Sequence, residues 1–252
     1  MFVSISFVSP VSSNRALADR ITNIIRAASK SHPRSKQTSL GPSEIGEACI
    51  RRMAYRLMNW DKVNDSSDPW PSISGTAIHA HLADIFTKDK SSQWLVEHRV
   101  TARKGCSGTV DLFDIDNGLV IDHKCVGATS MKARKADGPT EQQIVQLNVY
   151  GLGLENDGYE VNKIALAFYP LGGMLDGLHV WIGDYDRQIA VDALNRVDNV
   201  INLLVAIDPE VTPENWKLIP ATTSRACTYC PWFAPGSTDL AIACPGASEV
   251  TK

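Results

Sequence analysis

The sequence predicts an α/β domain, a mixed central sheet flanked by helices, with an irregular cysteine-bearing C-terminal part. Three observations carry this. Residues 94–125 read as three consecutive strands, the last two joined by the turn signal Asp116-Asn117-Gly118. A helical stretch at 140–155 separates them from two more strands, at 161–171 and 177–185. A meander followed by a crossover fits a mixed sheet better than a regular parallel βαβ array. With 252 residues, 44% of them hydrophobic, the chain is long enough to bury a full core.

The elements follow in order. Residues 16–28 have helical periodicity, and 29–43 are polar with Pro and Gly, which reads as a basic linker. We therefore divide the chain into an N-terminal helix and linker, 1–42, and a main domain, 43–252. Residues 43–60 read as one helix opening at Ser43, and 61–72 as a loop. Residues 74–86 read as a helix with Ser74 in the capping position. Strands are expected at 94–102, 107–116 and 118–125, then a Gly-, Lys- and Arg-bearing loop at 127–139. After the helix at 140–155 and the last two strands comes a long amphipathic helix, 186–207, and an irregular tail, 221–247.

The net charge of −3 gives no whole-chain nucleic-acid footprint, so any basic surface must be local. No apolar run is long enough to span a bilayer, and the apolar start at 1–13 has no basic residue before it, unlike a signal peptide. A cytoplasmic setting is expected, in which the six cysteines are thiols or metal ligands rather than disulfides. No G-x-x-x-x-G-K-[ST] occurs, so the chain carries no phosphate-binding loop for ATP-driven unwinding.

The chemistry concentrates in the strands. Asp122 and Lys124 end an apolar strand two residues apart, so they share a face. Asp111 lies in the strand before, across the hairpin, where it and Asp122 can lie side by side at one edge of the sheet. Two close carboxylates repel unless a cation sits between them, and oxygen ligands select Mg²⁺ or Mn²⁺. A neighbouring lysine suits an anionic, phosphorylated substrate. On its own, D-x-K reads equally as a surface salt bridge. Asp114 and Asp116 read as turn residues.

Other residues fall in order around this pair: His79 on the helix at 74–86, Glu97 on the first strand, and Gln146 and Tyr150 on one face of the helix at 140–155. Taken singly, His79 also reads as a core or surface histidine, Gln146 as a helix-boundary residue, and Tyr150 as packing. His81 faces elsewhere on its helix. Together the chain reads G-x-x-x-H, E, G-x-x-D, D-x-K, Q-x-x-x-Y. This ordered set resembles the PD-(D/E)XK nuclease superfamily, and within it the RecB-type branch that includes the CRISPR-associated iron–sulfur exonucleases. The resemblance covers roughly residues 43–247.

The resemblance implies a restriction-endonuclease-like core and hydrolysis of DNA phosphodiesters with Mg²⁺ or Mn²⁺. It implies His79, Asp111, Asp122 and the main chain of His123 as metal ligands, with Glu97 as a less certain member. It implies Lys124 as the catalytic lysine, and Gln146 and Tyr150 as supports of the site that contact DNA. Single-stranded ends are the implied substrate, with proteins of recombination, repair or CRISPR adaptation as partners. The basic stretch 132–138 reads either as a phosphate-backbone contact or as a solvated loop.

Cys227, Cys230 and Cys244 lie in the tail, and Cys49 stands far upstream, before Arg51 and Arg52. Four thiolates can hold Zn²⁺ or a [4Fe–4S] cluster, and the spacing does not choose between them. One upstream cysteine plus a C-terminal trio resembles the iron–sulfur layout of the family, which implies a cluster that staples the tail to the helix after Cys49. Two features depart from that layout: the long gap to Cys244, and Ile50 where a proline is usual. Cys106 and Cys125 read as structural thiols, and Arg51 and Arg52 as DNA contacts or solvated helix charges. The competing functional readings are a non-catalytic nucleic-acid-binding module on the same fold, and a zinc-stabilised protein with an unrelated site.

Overall fold

The computed structural model describes residues 10–31, 40–64, 68–222 and 225–246. Five strands form one sheet in the order β1-β2-β3-β4-β5: β1 Trp94–Arg103, β2 Cys106–Asp114, β3 Leu119–Val126, β4 Lys163–Pro170 and β5 His179–Asp184. Only β3 and β4 are parallel; the other neighbours run antiparallel. This is the expected meander and crossover. The β2–β3 turn closes on Gly118, whose φ of +60° suits glycine. Asp114 does more than face water there: it is buried and accepts from Ser92 Oγ and from Asn117 N and Nδ2.

Seven helices accompany the sheet among the described residues: α1 Pro10–Ser31, α2 Pro42–Ile45, α3 Ile50–Leu57, α4 Trp70–Lys88, α5 Ala128–Asp137, α6 Glu141–Asn156 and α7 Arg187–Ile207. Helix α1 runs past the expected 16–28 at both ends, and three further stretches differ from the sequence expectation. The single helix at 43–60 is two, with Gly41 rather than Ser43 capping the first. Gly46 makes the break: a Cβ there would sit 2.7 Å from the Gln142 Cα, so only glycine lets this segment cross α6. Next, α4 begins four residues early, because Pro71 is tolerated in a first turn and Asp68 accepts the Trp70 N–H. Finally, the stretch 127–139 is no loop. Its core is made of good helix formers, and Gly127 and Gly138 are the caps of α5. The linker's residues 32–39, residues 65–67 of the loop, and the first nine residues of the apolar start lie outside the described residues.

Two apolar clusters share α6. One joins the sheet to α6 through Val110, Phe113, Val120, Leu147, Leu154 and Phe168. The other joins α3, α6, α7 and the tail through Met53, Tyr55, Val149, Leu194, Trp216 and Trp232. Trp216 and Trp232 are fully buried against Tyr55. The tail is further tied by Trp60 Nε1, which donates to the Ala241 carbonyl at 2.7 Å, and by Trp232 Nε1, which donates to the Trp60 carbonyl at 3.0 Å.

Helix α6 reaches the sheet closely because it carries glycines. A Cβ on Gly153 would lie 2.8 Å from Val100 Cβ on β1, a stiff β-branched neighbour. Gly153→Ala is therefore expected to lower stability by about 1–3 kcal/mol through overpacking, although alanine favours helix by about 1 kcal/mol. Urea unfolding checks this; a rise in midpoint would mean that α6 can shift outward freely.

Candidate active site

The ladder between β2 and β3 sets the site. It pairs Asp114 with Leu119, Phe113 with Val120 and Leu112 with Ile121, and goes no further. The next pair in that register is Asp111 and Asp122. There the strands part, and the His123 N–H donates 2.8 Å to Asp111 Oδ2 instead of to the ladder. The two carboxylates thus lie in the middle of the sheet, where two central strands diverge, and not at its edge. The sequence pattern shows which residues are opposite; it does not show where a ladder opens.

On one side of this opening, α4 brings His79 to Asp111, with Nδ1 3.3 Å from Oδ1. Glu97 on β1 joins them, and one donor atom from each of His79, Glu97 and Asp111 lies within 4.8 Å of the others. Glu97 stands at φ +49° in the middle of a strand, a left-handed conformation that glutamate rarely adopts. The ladder pairs Val96 with Leu112 and His98 with Val110, and its regular register is interrupted at Glu97, across from Asp111. Sequence reasoning named Glu97 with less support than the others, and its distortion is invisible in sequence.

On the other side, Lys124 Nζ lies 2.5 Å from Asp122 Oδ2 as an ion pair. It also donates 3.4 Å to Gln146 Oε1. Gln146 Nε2 donates to Asp122 Oδ1 at 2.9 Å and to the Tyr150 hydroxyl at 3.2 Å. Gln146 is buried in the middle of α6, not at a helix boundary. Asp122, Lys124, Gln146 and Tyr150 thus form one chain of contacts, and Asp122 stands outside the donor cluster of His79, Glu97 and Asp111. The His123 ring is stacked on Phe86 of α4 and lies edge-on to His79 and to Tyr169.

The electrostatics divide the same way. Burial pushes the Asp122 carboxyl up to about 6, against the pull of Lys124, with Asp111 adding repulsion. Burial also raises Asp111, but the hydrogen bond and charge of His79, the His123 N–H and Lys124 outweigh it, and the net direction is down. The hydrogen bond to Asp111 raises His79 against its burial. Burial lowers His123 to about 4, so its ring is neutral. An anionic Asp111, a glutamate and an imidazole make a donor set of the kind divalent cations bind.

The four cysteines meet as well. Cys49, Cys227, Cys230 and Cys244 line one small cavity of about 30 Å³ with Arg52, Tyr55 and Phe233. Cys49 caps α3, and a single parallel bridge between Phe233 and Cys244 folds the tail back on itself. Among the described residues, no three thiol sulfurs lie within 4.8 Å of one another. Bonds of about 2.3 Å to a tetrahedral zinc would draw the sulfurs to about 3.8 Å apart. Cys106 and Cys125 lie outside this cavity. Arg51 is not a solvated helix charge. Arg51 is buried, donating twice to the Ile219 carbonyl and reaching Cys244 Sγ at 3.6 Å, and Arg52 pairs with Glu47 at 3.2 Å.

No family model matches the sequence, and no curated protein matches it. The solved structures that match its fold include an alkaline exonuclease (LHK-Exo) from Laribacter hongkongensis, and the same enzyme in complex with dAMP. The first superposes with a TM-score of 0.51 at 13% identity, over 73% of this chain and 96% of that one. The dAMP complex gives 0.50 at 14%, over the same shares. A phage-related exonuclease from Haemophilus somnus 129PT aligns at 0.41 and 12% identity, over 60% of this chain and 77% of that one. The likeness to the alkaline exonuclease shows the fold: a mixed sheet flanked by helices, of the nuclease type, in agreement with the expectation from sequence.

Proposed function

We propose that this protein is a metal-dependent DNA exonuclease that acts on single-stranded ends and carries a [4Fe–4S] cluster in its cysteine cavity. One observation carries the catalytic part: His79, Glu97 and Asp111 converge beside a lysine that Asp122 and Gln146 hold in place. The fold supports it, since the alkaline exonuclease shares it and one of its structures contains a nucleotide, dAMP.

His79, Glu97 and Asp111 would hold Mg²⁺ or Mn²⁺, with Asp122 and the main chain of His123 as further candidates at the same opening. The ion supplies a polarised phosphate and a bound water of lowered pKa. Lys124 would donate to the phosphate oxygen on which charge develops, or help to orient the attacking water. Gln146 fixes Lys124 and Asp122 at once, and Tyr150 fixes Gln146. Burial of Asp122 keeps this network out of water, where its charges act more strongly.

In the tail, Cys49, Cys227, Cys230 and Cys244 would hold the cluster. It joins α3 to residues 227–244, closing a very long loop.

Linear and circular single strands of one sequence test the activity. With Mn²⁺, nucleotides are expected to leave the linear strand while the circle stays intact. Cutting of the circle would overturn the exonuclease assignment, and no cutting with either metal would overturn the nuclease itself.

Metal binding also has a predicted pH dependence. His79 must be neutral to ligate, and Asp111 raises its pKa, so metal uptake expels a proton. Mn²⁺ affinity should rise with pH, by up to about tenfold per unit below the His79 pKa. Calorimetry in two buffers of different ionisation enthalpy counts the proton; no release near neutral pH would remove His79 from the ligand set. In the metal-free protein the signs are opposite for the two partners. The raised His79 stabilises the fold below its unfolded pKa of about 6.5, and this is lost as pH climbs through the folded value. The lowered Asp111 stabilises it above about 3.9, and this is lost as pH falls through the folded value.

A further inference from the structure

Beyond the metal-ligand cluster lies a second feature that the chemistry above does not use. A groove of about 600 Å³ opens at the carboxyl ends of the parallel strands β3 and β4, floored by Val126, Met131 and Pro170. Val126 is two residues past Lys124, about 7 Å along the same strand. One wall is α5, whose exposed Lys132 and Lys135 are three apart and so share a helix face. The other is the β4–β5 connection, which contributes Gly172 and Gly177. Those glycines let a ligand's backbone come close.

The same connection is the most exposed apolar stretch beside the sheet. Met174 is 80% and Leu175 70% accessible, and Leu171 and Leu178 are exposed as well. Contiguous apolar surface of this kind is uncommon without a partner. The groove therefore has one cationic wall, and just beyond its glycine wall stand the exposed apolar side chains of the same connection, two residues along β3 from the proposed catalytic lysine. A single nucleic-acid strand has the matching asymmetry, with phosphates along one edge and unstacked base faces along the other. A paired duplex presents phosphates on both outer edges and hides its base faces.

We propose that this groove holds a single nucleic-acid strand next to the cleavage site, with Lys132 and Lys135 on its phosphates and the loop 171–178 against its bases. The proposal rests on the nuclease reading above for the identity of the ligand, but its test does not need cleavage. Binding of a fluorescein-labelled oligothymidylate is followed by anisotropy in EDTA, across a range of salt. The double variant Lys132→Ala/Lys135→Ala is expected to bind at least about tenfold more weakly at low salt. Its log K against log salt should be shallower by about 1.4, from two lost contacts at about 0.7 each. Met174→Ser/Leu175→Ser should weaken binding with the slope unchanged. Lys163→Ala, which removes a lysine paired with Asp184 away from the groove, should bind as wild type.

An unchanged affinity and slope in the double-lysine variant would overturn the proposal, as would wild type that does not bind the strand. Lysine-dependent binding of a blunt duplex more tightly than of the strand would overturn the single-strand assignment. Wild type that binds the strand as described but cuts nothing with Mg²⁺ or Mn²⁺ would overturn the nuclease reading and leave the groove standing. Wild type that cuts, with variants that bind normally, would overturn the groove alone.

Discussion

Replacing Lys124 with alanine should lower metal-dependent DNA cleavage by at least about 10²–10³-fold, the cost of losing one charged donor aimed at a developing oxyanion. The ammonium pairs with Asp122 and donates to Gln146, so it is held at the opening between β2 and β3 before any substrate arrives. The fold should survive the loss. Asp122 is buried and its carboxyl already stands at about 6, so without Lys124 it keeps its proton to higher pH instead of remaining as an unpaired buried charge. The thermal midpoint should therefore move by a few degrees at most near neutral pH, while the rate collapses. Cleavage of an end-labelled strand and a melting curve on the same preparation separate the two. Equal cleavage by variant and wild type would place the chemistry elsewhere.

The second large effect concerns the tail. Cys227→Ala should abolish iron incorporation and cut stability by about 3–5 kcal/mol, the worth of a covalent closure over a long loop. For a chain of this size that is about 6–20 °C in Tm. Cys227 is half-buried, so truncating its thiol without a cluster would cost far less. Iron content and melting, measured anaerobically on Cys227→Ala, Cys106→Ala and wild type, decide the matter. Cys106 is buried outside the cavity, so its variant should keep its iron and lose only packing energy. Zinc in place of iron in the wild-type protein, or a Cys227→Ala protein as stable as wild type, would refute the cluster.

Much of this site was legible in sequence because its parts lie on strongly patterned elements. Asp111, Asp122 and Lys124 sit on strands whose apolar alternation announces them, and Gln146 and Tyr150 sit four apart on a helix with a clear capping box at Thr140 and Gln143. What stayed hidden depends on tertiary placement. The distorted backbone of Glu97 arises from the ladder it interrupts, so no local pattern reports it. Helix α5 was obscured by the glycines at its two ends, which read as loop although both are caps. Arg51 looked like a surface charge because its partner, the Ile219 carbonyl, lies 168 residues away. The opening of the β2–β3 ladder at Asp111 and Asp122 is a property of two strands together.

The central claim is that a divalent metal binds between His79, Glu97 and Asp111. Crystals soaked in Mn²⁺ and measured for anomalous scattering test it most directly. An anomalous peak is expected within bonding distance of one donor atom from each of these three residues, and its loss in Asp111→Ala. A peak confined to other residues, or no peak in wild-type crystals at millimolar Mn²⁺, would contradict it.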